Sequence, residues 1–138
     1  MGTKVEKIII PTHGFDEIID ITDKINNTVS SCESKNGIVN INALGGCASL
    51  VKLEMEPGLT FDLAKILENI IPINKIYQHD NVWHDGNANA HLKSALLGNS
   101  LTLPMIDNKI ELGNFGRIIF IDFDNKSSNK EIIVSIVY

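Results

Sequence analysis

The sequence holds a single arginine, Arg117, and its 12 basic residues are outnumbered by 17 acidic ones, for a net charge of −5. A protein that grips duplex or phosphate backbone needs a basic face, and this chain has few cations to build one, so no nucleic-acid partner is expected. It lacks any apolar run near the roughly 20 residues of a membrane-spanning helix, so no membrane partner is expected either. The first seven residues, Met1 to Lys7, carry neither an apolar core nor a small-residue cleavage site, which predicts no signal peptide. Glu6 breaks the myristoylation pattern that Met1-Gly2-Thr3 begins. Cysteine is scarce: Cys32 and Cys47 stand alone without a CxxC pair, which predicts free thiols and a cytoplasmic setting. What is present is ordinary for a globular chain, 43% hydrophobic and 21% charged, with no internal repeat. A single domain over residues 1–138 follows from the length.

Val5 to Ile10 is a β-branched run closed by Pro11, a first strand. Apolar residues from Ile18 to Val29 recur at helical spacing and predict a helix over about 15–30. Strands are expected at 38–44 and 50–56, the second stopped by a Pro57-Gly58 turn. Thr60 is the expected N-cap of a helix with Leu63, Ile66, Leu67 and Ile70 on one stripe, closed by Pro72. A polar loop over 74–87 precedes a helix from Ala88 to Leu97 that ends at Gly98. Strands at 101–106, 109–112, 117–123 and 131–138 complete the chain, with a turn at Asp107-Asn108. With no βαβα alternation, the order predicts an α+β domain of two to three helices on a mostly antiparallel or mixed sheet. The last two strands are apolar on both faces and need helices or another subunit to cover them.

Chemistry concentrates between Tyr77 and His91, where three of the four histidines and the only tryptophan fall. Imidazole serves both proton transfer near neutral pH and metal ligation, and His79, His84 and His91 could together hold a metal with one position open. Their H-x4-H-x6-H spacing matches no standard zinc motif, and histidines that hydrogen-bond within a packed loop explain the same residues. Glu54 and Glu56 share a strand face, as an acid–base pair or an ordinary solvated surface. Asp122 and Asp124 pose the same choice, with solvation favoured by their place beside a loop. Gly45-Gly46 allows backbone amides to turn toward an anion, although no P-loop follows, and Cys47 reads as a small buried thiol.

The stretch Gly45 to Leu59, Tyr77-x-His79-Asp80, Trp83-His84-Asp85-Gly86-Asn87, Ala90-His91-Leu92-Lys93 through Ser100-Leu101-Thr102-x-Pro104, and Leu112-Gly113 resembles the YjbQ-like family. Many of its members carry the name secondary thiamine-phosphate synthase. The resemblance implies an α+β homotrimer whose sheets pack around the threefold axis. It implies a cleft near a subunit interface lined by Glu54, His79, Asp85, Asn87, His91, Lys93 and Ser100. It implies a weak activity that joins a hydroxymethylpyrimidine diphosphate to a thiazole phosphate, so the expected partner is a phosphorylated small molecule. In that reading Glu54, His79, Asp85 and His91 carry the chemistry, while Asn87, Lys93 and Ser100 hold the ligand.

Three positions depart from the family pattern. Gly45-Gly46-Cys47 stands where many members have His-Thr-Thr, Gly113-Asn114-Phe115-Gly116 where they have Gly-Thr-Trp-Gln, and Asn125 to Lys130 where an arginine-rich stretch is expected. Departing pyrophosphate builds negative charge that Mg²⁺ and donors must absorb. Here the candidate donors are Lys93, Arg117, Asn87, Ser100 and turn amides, with Asp85 or Glu54 to hold the metal. The competing expectation is a trimeric protein that binds a small molecule or a metal without turnover.

Overall fold

The computed structural model describes residues 1–138, and its organisation follows from one strand, β7 (Gly116–Asp122). Ile118, Ile119, Phe120 and Ile121 are all buried, so both faces of this strand must be covered. One face packs against a second sheet and the other against helices, which is why the run shows no alternation. β7 is the centre of a three-stranded antiparallel sheet, flanked by β2 (Glu17–Asp20) and β4 (Ala48–Glu54).

The larger sheet runs in the order β1 (Thr3–Thr12), β8 (Ser128–Val137), β3 (Gly37–Ala43), β5 (Ser100–Ile106), β6 (Lys109–Ile110), all antiparallel. Alternate residues such as Val39, Ile41, Leu103, Ile132 and Val134 face Leu50, Ile118 and Phe120 of the smaller sheet and form the main core. Helix α1 (Thr22–Ser30) contributes Ile25 and Val29 to the same core. Helices α2 (Pro57–Ile70) and α4 (Ala88–Leu97) cover the outer face of the smaller sheet, with Leu67 and Ala90 against Ile119 and Ile121. The layering is sheet, sheet, helices: an α+β domain with antiparallel sheets, as expected. It has four helices rather than two or three, because α3 (Gln78–Trp83) forms inside the stretch expected to be a loop.

Three other expectations are corrected. The helix over 15–30 is half strand: β2 pairs with β7, and α1 begins only at Thr22. Its spacing misled because Ile18 and Ile19 are partly covered on opposite faces, and because the left-handed backbone that Gly14 begins continues through Phe15 and Asp16, residues that do not announce it. Pro57-Gly58 does not stop a strand but opens α2, proline being suited to a first helical turn. Glu56, not Thr60, caps that helix, its carboxylate accepting from the Gly58 and Leu59 amides at 2.7 and 2.8 Å. Glu56 is therefore no partner of Glu54 in an acid–base pair. Those two amide hydrogen bonds hold its carboxyl below the usual 4.5.

Arg117 is absorbed locally. Its Nε donates to Asp20 Oδ2 at 2.7 Å, while Thr22 donates to Asp20 Oδ1 from its amide at 3.0 Å and its hydroxyl at 2.6 Å. Asp20 thus does the work of a cap for α1, whose N-cap position is Ile21. The hairpin turn at Asp107-Asn108, both residues left-handed, is as predicted.

Candidate functional site

The end of the smaller sheet where β4 begins carries the site. The turn Gly45-Gly46-Cys47 leads into β4, and α4 is clipped over it: Ser94 Oγ donates to the Ala48 carbonyl at 2.6 Å. This clip sets His91 directly above Gly46. A Cβ on that glycine would lie 2.8 Å from His91 Nδ1, so the imidazole occupies the room that a side chain would need. Gly46→Ala is therefore expected to push the imidazole aside, moving its NMR signals and costing little more than about 1 kcal/mol in urea denaturation. Unchanged His91 signals would refute the packing.

His79, on α3 rather than on a loop, meets His91 edge to face with ring centroids 4.9 Å apart. Its Nε2 lies 3.6 Å from Asp85 Oδ1. The Asn87 amide, oriented with its nitrogen toward that carboxylate, donates to Asp85 Oδ1 and Oδ2 at 3.1 and 3.3 Å. The intervening loop is held from both sides: Asp80 Oδ1 accepts from the Ala88 amide at 3.1 Å, and Asn125 Nδ2 donates to the Asp85 carbonyl at 2.8 Å. A cleft of about 350 Å³ opens here, lined by Tyr77, Gln78, His79, Ala88, His91 and Leu92. A second of about 290 Å³ begins on the other side of His91, between Gly46 and Asn99. His91 is the wall common to both.

Of the sequence candidates, His79, Asp85, Asn87 and His91 come together. The others do not. His84 ends α3 in a left-handed conformation and is exposed, and no group of three His, Cys, Asp or Glu side chains converges to hold a metal ion. A tri-imidazole zinc site therefore does not fit this chain. Glu54 is at the far end of β4, seven residues from Cys47 and so about 23 Å away at 3.3 Å per residue. Asp85 and Glu54 thus cannot share a metal within one chain. Arg117 pairs with Leu53 across the sheet at that same far end. Ser100 opens β5 on the outer face of the large sheet, where its Oγ accepts from Asn40 Nδ2 at 2.9 Å.

Lys93 is two residues beyond His91, hence about 200° around the helix and on its opposite side. It is 0% exposed, with Nζ 2.9 Å from Asp16 Oδ2 and 3.6 Å from Glu68 Oε2. It ties α4 to α2 and to the loop before β2, and its ammonium does not reach the cleft.

Sequence reasoning missed the contribution of the β7–β8 connection. Asp122 and Asp124 are buried, not solvated. Lys130 Nζ stands 2.7 Å from Asp124 Oδ2 and 3.6 Å from Asp122 Oδ1, and the Asp124 amide donates to Asp122 Oδ1 at 3.0 Å. Burial raises the Asp124 pKa, but the Lys130 and Asn125 hydrogen bonds outweigh it and leave the group below the usual 3.8. Cys47, Asp124 and Lys130 line one cleft of about 360 Å³ beside Gly46. The only available signal was an acidic residue extending a strand with no outward face.

Cys47 is a buried free thiol as read from sequence. Its sulfur sits 3.6 Å from Nε2 and 3.8 Å from Nδ1 of His91. Burial, then the Asp124 carboxylate, push its pKa up to about 11 despite Lys130. It stays protonated at neutral pH and is no activated nucleophile.

The profile of the UPF0047 protein YjbQ-like family matches residues 6–138. The chain belongs to this family. A UPF0047 protein of Archaeoglobus fulgidus is 40% identical over 117 residues, which cover 85% of this chain and 89% of the relative. One from Methanocaldococcus jannaschii is 32% identical over 132 residues, covering 95% and 92%. Among solved YjbQ-like structures, a protein of unknown function from Sulfolobus solfataricus superposes with TM-score 0.87 at 28% identity, over 98% of both chains. A Clostridium acetobutylicum member gives 0.86 at 26%, over 96% and 99%. The UPF0047 family is one of uncharacterised function, so chemistry must be argued from the cleft.

Proposed function

We propose that the chain is a small-molecule enzyme whose cleft at His79 and His91 performs a weak group transfer of the thiamine-phosphate synthase type. The observation that carries this reading is the edge-to-face meeting of His79 and His91 at an open cleft, with Asp85 braced by Asn87 within 3.6 Å of His79. Two imidazoles are the donors free to meet a leaving diphosphate, since Lys93 and Arg117 are committed to carboxylates elsewhere. Protonated, His79 donates to the departing oxygens and Asp85 compensates its charge; His91 holds the pyrimidine edge or a second phosphate oxygen. Mg²⁺ arriving on the diphosphate would supply the remaining positive charge. The apolar side of the cleft, Tyr77 and Leu92, suits a flat heterocycle.

The reading includes a cytoplasmic homotrimer. Supporting it are Val5, Ile9, Ile38, Ile106 and Val137, exposed on the outer face of the large sheet, and Trp83, Leu92 and Leu96 around the cleft. No helix is long and apolar enough to cross a membrane. Light scattering should give three times the 15.2 kDa chain mass; a monomer would remove the trimer from the proposal.

A second reading is favoured by the shortage of free cations just described: a trimer that binds its small molecule or a metal without turning it over. The test is thiamine-phosphate formation from hydroxymethylpyrimidine diphosphate and thiazole phosphate, with Mg²⁺. The enzyme reading predicts product that falls at least about a hundredfold in His79→Ala, the loss typical of a proton-transfer group, and that also falls in His91→Ala as ligand contact is lost. No product overturns it and leaves the binding reading; product indifferent to both variants overturns the assignment of the chemistry to this cleft.

A further inference from the structure

Asp80 stands beside His79 in the Tyr77-x-His79-Asp80 stretch, and the chemistry of the cleft makes no use of it. It is a half-buried residue of α3 and belongs to neither apolar core. Its side chain reaches out of its own helix, where Oδ1 accepts from the Ala88 amide at 3.1 Å. Ala88 is the first residue of α4 and is 2% exposed, so this hydrogen bond joins the two helices at a covered place.

Both helices need that bond. The first amides of a helix have no acceptor within it, and a side chain at the N-cap ordinarily supplies one. Asn87 holds that position in α4, but its side chain makes no cap there and is turned to Asp85 instead. Asp80 does the capping from another helix. For its part α3 has six residues, none of them buried, and no side-chain cap. A helix so short does not persist by its own hydrogen bonds and takes its place from its surroundings. Two other anchors lie outside it: the Tyr77 hydroxyl donates to the Pro72 carbonyl at 2.7 Å before it, and Asn125 Nδ2 donates to the Asp85 carbonyl at 2.8 Å after it. The bond from Asp80 to Ala88 is the one side-chain hydrogen bond between α3 and α4.

It ties the neighbour of His79 to the residue one turn before His91. Ala88 and His91 lie at i and i+3, so they share a face of α4, and both line the cleft with His79. We propose that Asp80 is the positioning residue of the cleft: by capping α4 from α3, it sets the His79 ring against His91. The proposal deepens the function proposed for the cleft and rests on it for the ligand, while the positioning itself is a property of the free protein. An acceptor oxygen suffices for it, so Asp80→Asn keeps the tie and Asp80→Ala removes it.

The test is the NMR cross-peak between the rings of His79 and His91, whose centroids are 4.9 Å apart, in the ligand-free wild type and its variants. It should be present in the wild type and in Asp80→Asn and be lost in Asp80→Ala. Glu56→Ala, which removes the cap of α2, is the control for a merely structural loss and should keep the cross-peak. In calorimetry with hydroxymethylpyrimidine diphosphate, Asp80→Ala should bind at least about tenfold more weakly, and Asp80→Asn should restore the affinity. A cross-peak absent from the wild type or retained in Asp80→Ala overturns the proposal, and so does its loss in Asp80→Asn or Glu56→Ala. Asp80→Ser, polar but too short to reach the Ala88 amide, gives the same reading if Asp80→Ala does not fold. A cross-peak that behaves as expected in a protein that binds no diphosphate would overturn the proposed function and uphold the role of Asp80.

Discussion

Replacing Lys130 by methionine is expected to destabilise the protein by about 3–5 kcal/mol near neutral pH, the usual cost of stranding buried charge. Asp122 is fully buried and Asp124 nearly so, and Lys130 is the cation facing both within 4 Å. Thr12 donates to Asp122 as well, but a hydroxyl cannot neutralise two carboxylates. Lys93→Met should cost less, although Lys93 is the more buried lysine. Its partners, Asp16 and Glu68, have side chains 39% and 43% exposed and can be solvated when the ammonium goes.

The pH dependence carries a definite sign. Asp124 is held below its usual 3.8, so its contribution is complete above that value and is lost as pH falls through the lower folded value. Burial lowers the Lys130 pKa, but the Asp124 and Asp122 carboxylates raise it above the usual 10.5. Its contribution is complete below 10.5 and is lost only as pH rises through the higher folded value. In Lys130→Met the carboxylates gain protons more readily than in the unfolded chain. The deficit should therefore shrink from neutral pH toward about pH 4, near the ordinary carboxylate range. Urea denaturation at the two pH values checks this; a deficit below about 1 kcal/mol at neutral pH contradicts the buried network.

Phe120→Ala is expected to cost about 3–5 kcal/mol in the same experiment. Phe120 is central in β7, opposite Leu50 on one side and Ile19 on the other, and its ring fills the space between the sheets. Both sheets are anchored by their own hydrogen bonds, so the cavity left by the ring cannot readily collapse. A loss under about 1 kcal/mol, of the kind seen for surface substitutions, would mean that the two sheets do not pack on this strand.

These two residues mark where the sequence was readable and where it was not. The run from Ile118 to Ile121 announced a strand needing cover on both faces, and the chain supplies that cover with a second sheet and two helices. The strands that alternate, and α4 with its closing Gly98, were legible for the same local reason. Local signals failed where a tertiary partner decided the outcome. β2 is a strand because β7 accepts it, and α2 starts early because Glu56 turns back onto its amides.

The histidine cluster was legible as composition, and its convergence with Asp85 and Asn87 depends on α3 folding back on α4. Lys93 read as a ligand contact because a lysine near a motif suggests an anion; helical geometry sends it the other way. Asp124 and Lys130 reach Cys47 only through the β7–β8 connection, which carries the chain from the smaller sheet to the larger and which no spacing in the sequence records.

The central claim is that His79 and His91 form one ligand site, and imidazole NMR tests it directly. Titrated with hydroxymethylpyrimidine diphosphate, the ring signals of His79 and His91 should move together with a common midpoint. His13, bonded to Glu17 at 3.2 Å on the exposed loop after β1, should stay still. Motion of neither ring, or motion of His13 to the same extent, would contradict the assignment of the cleft to this diphosphate.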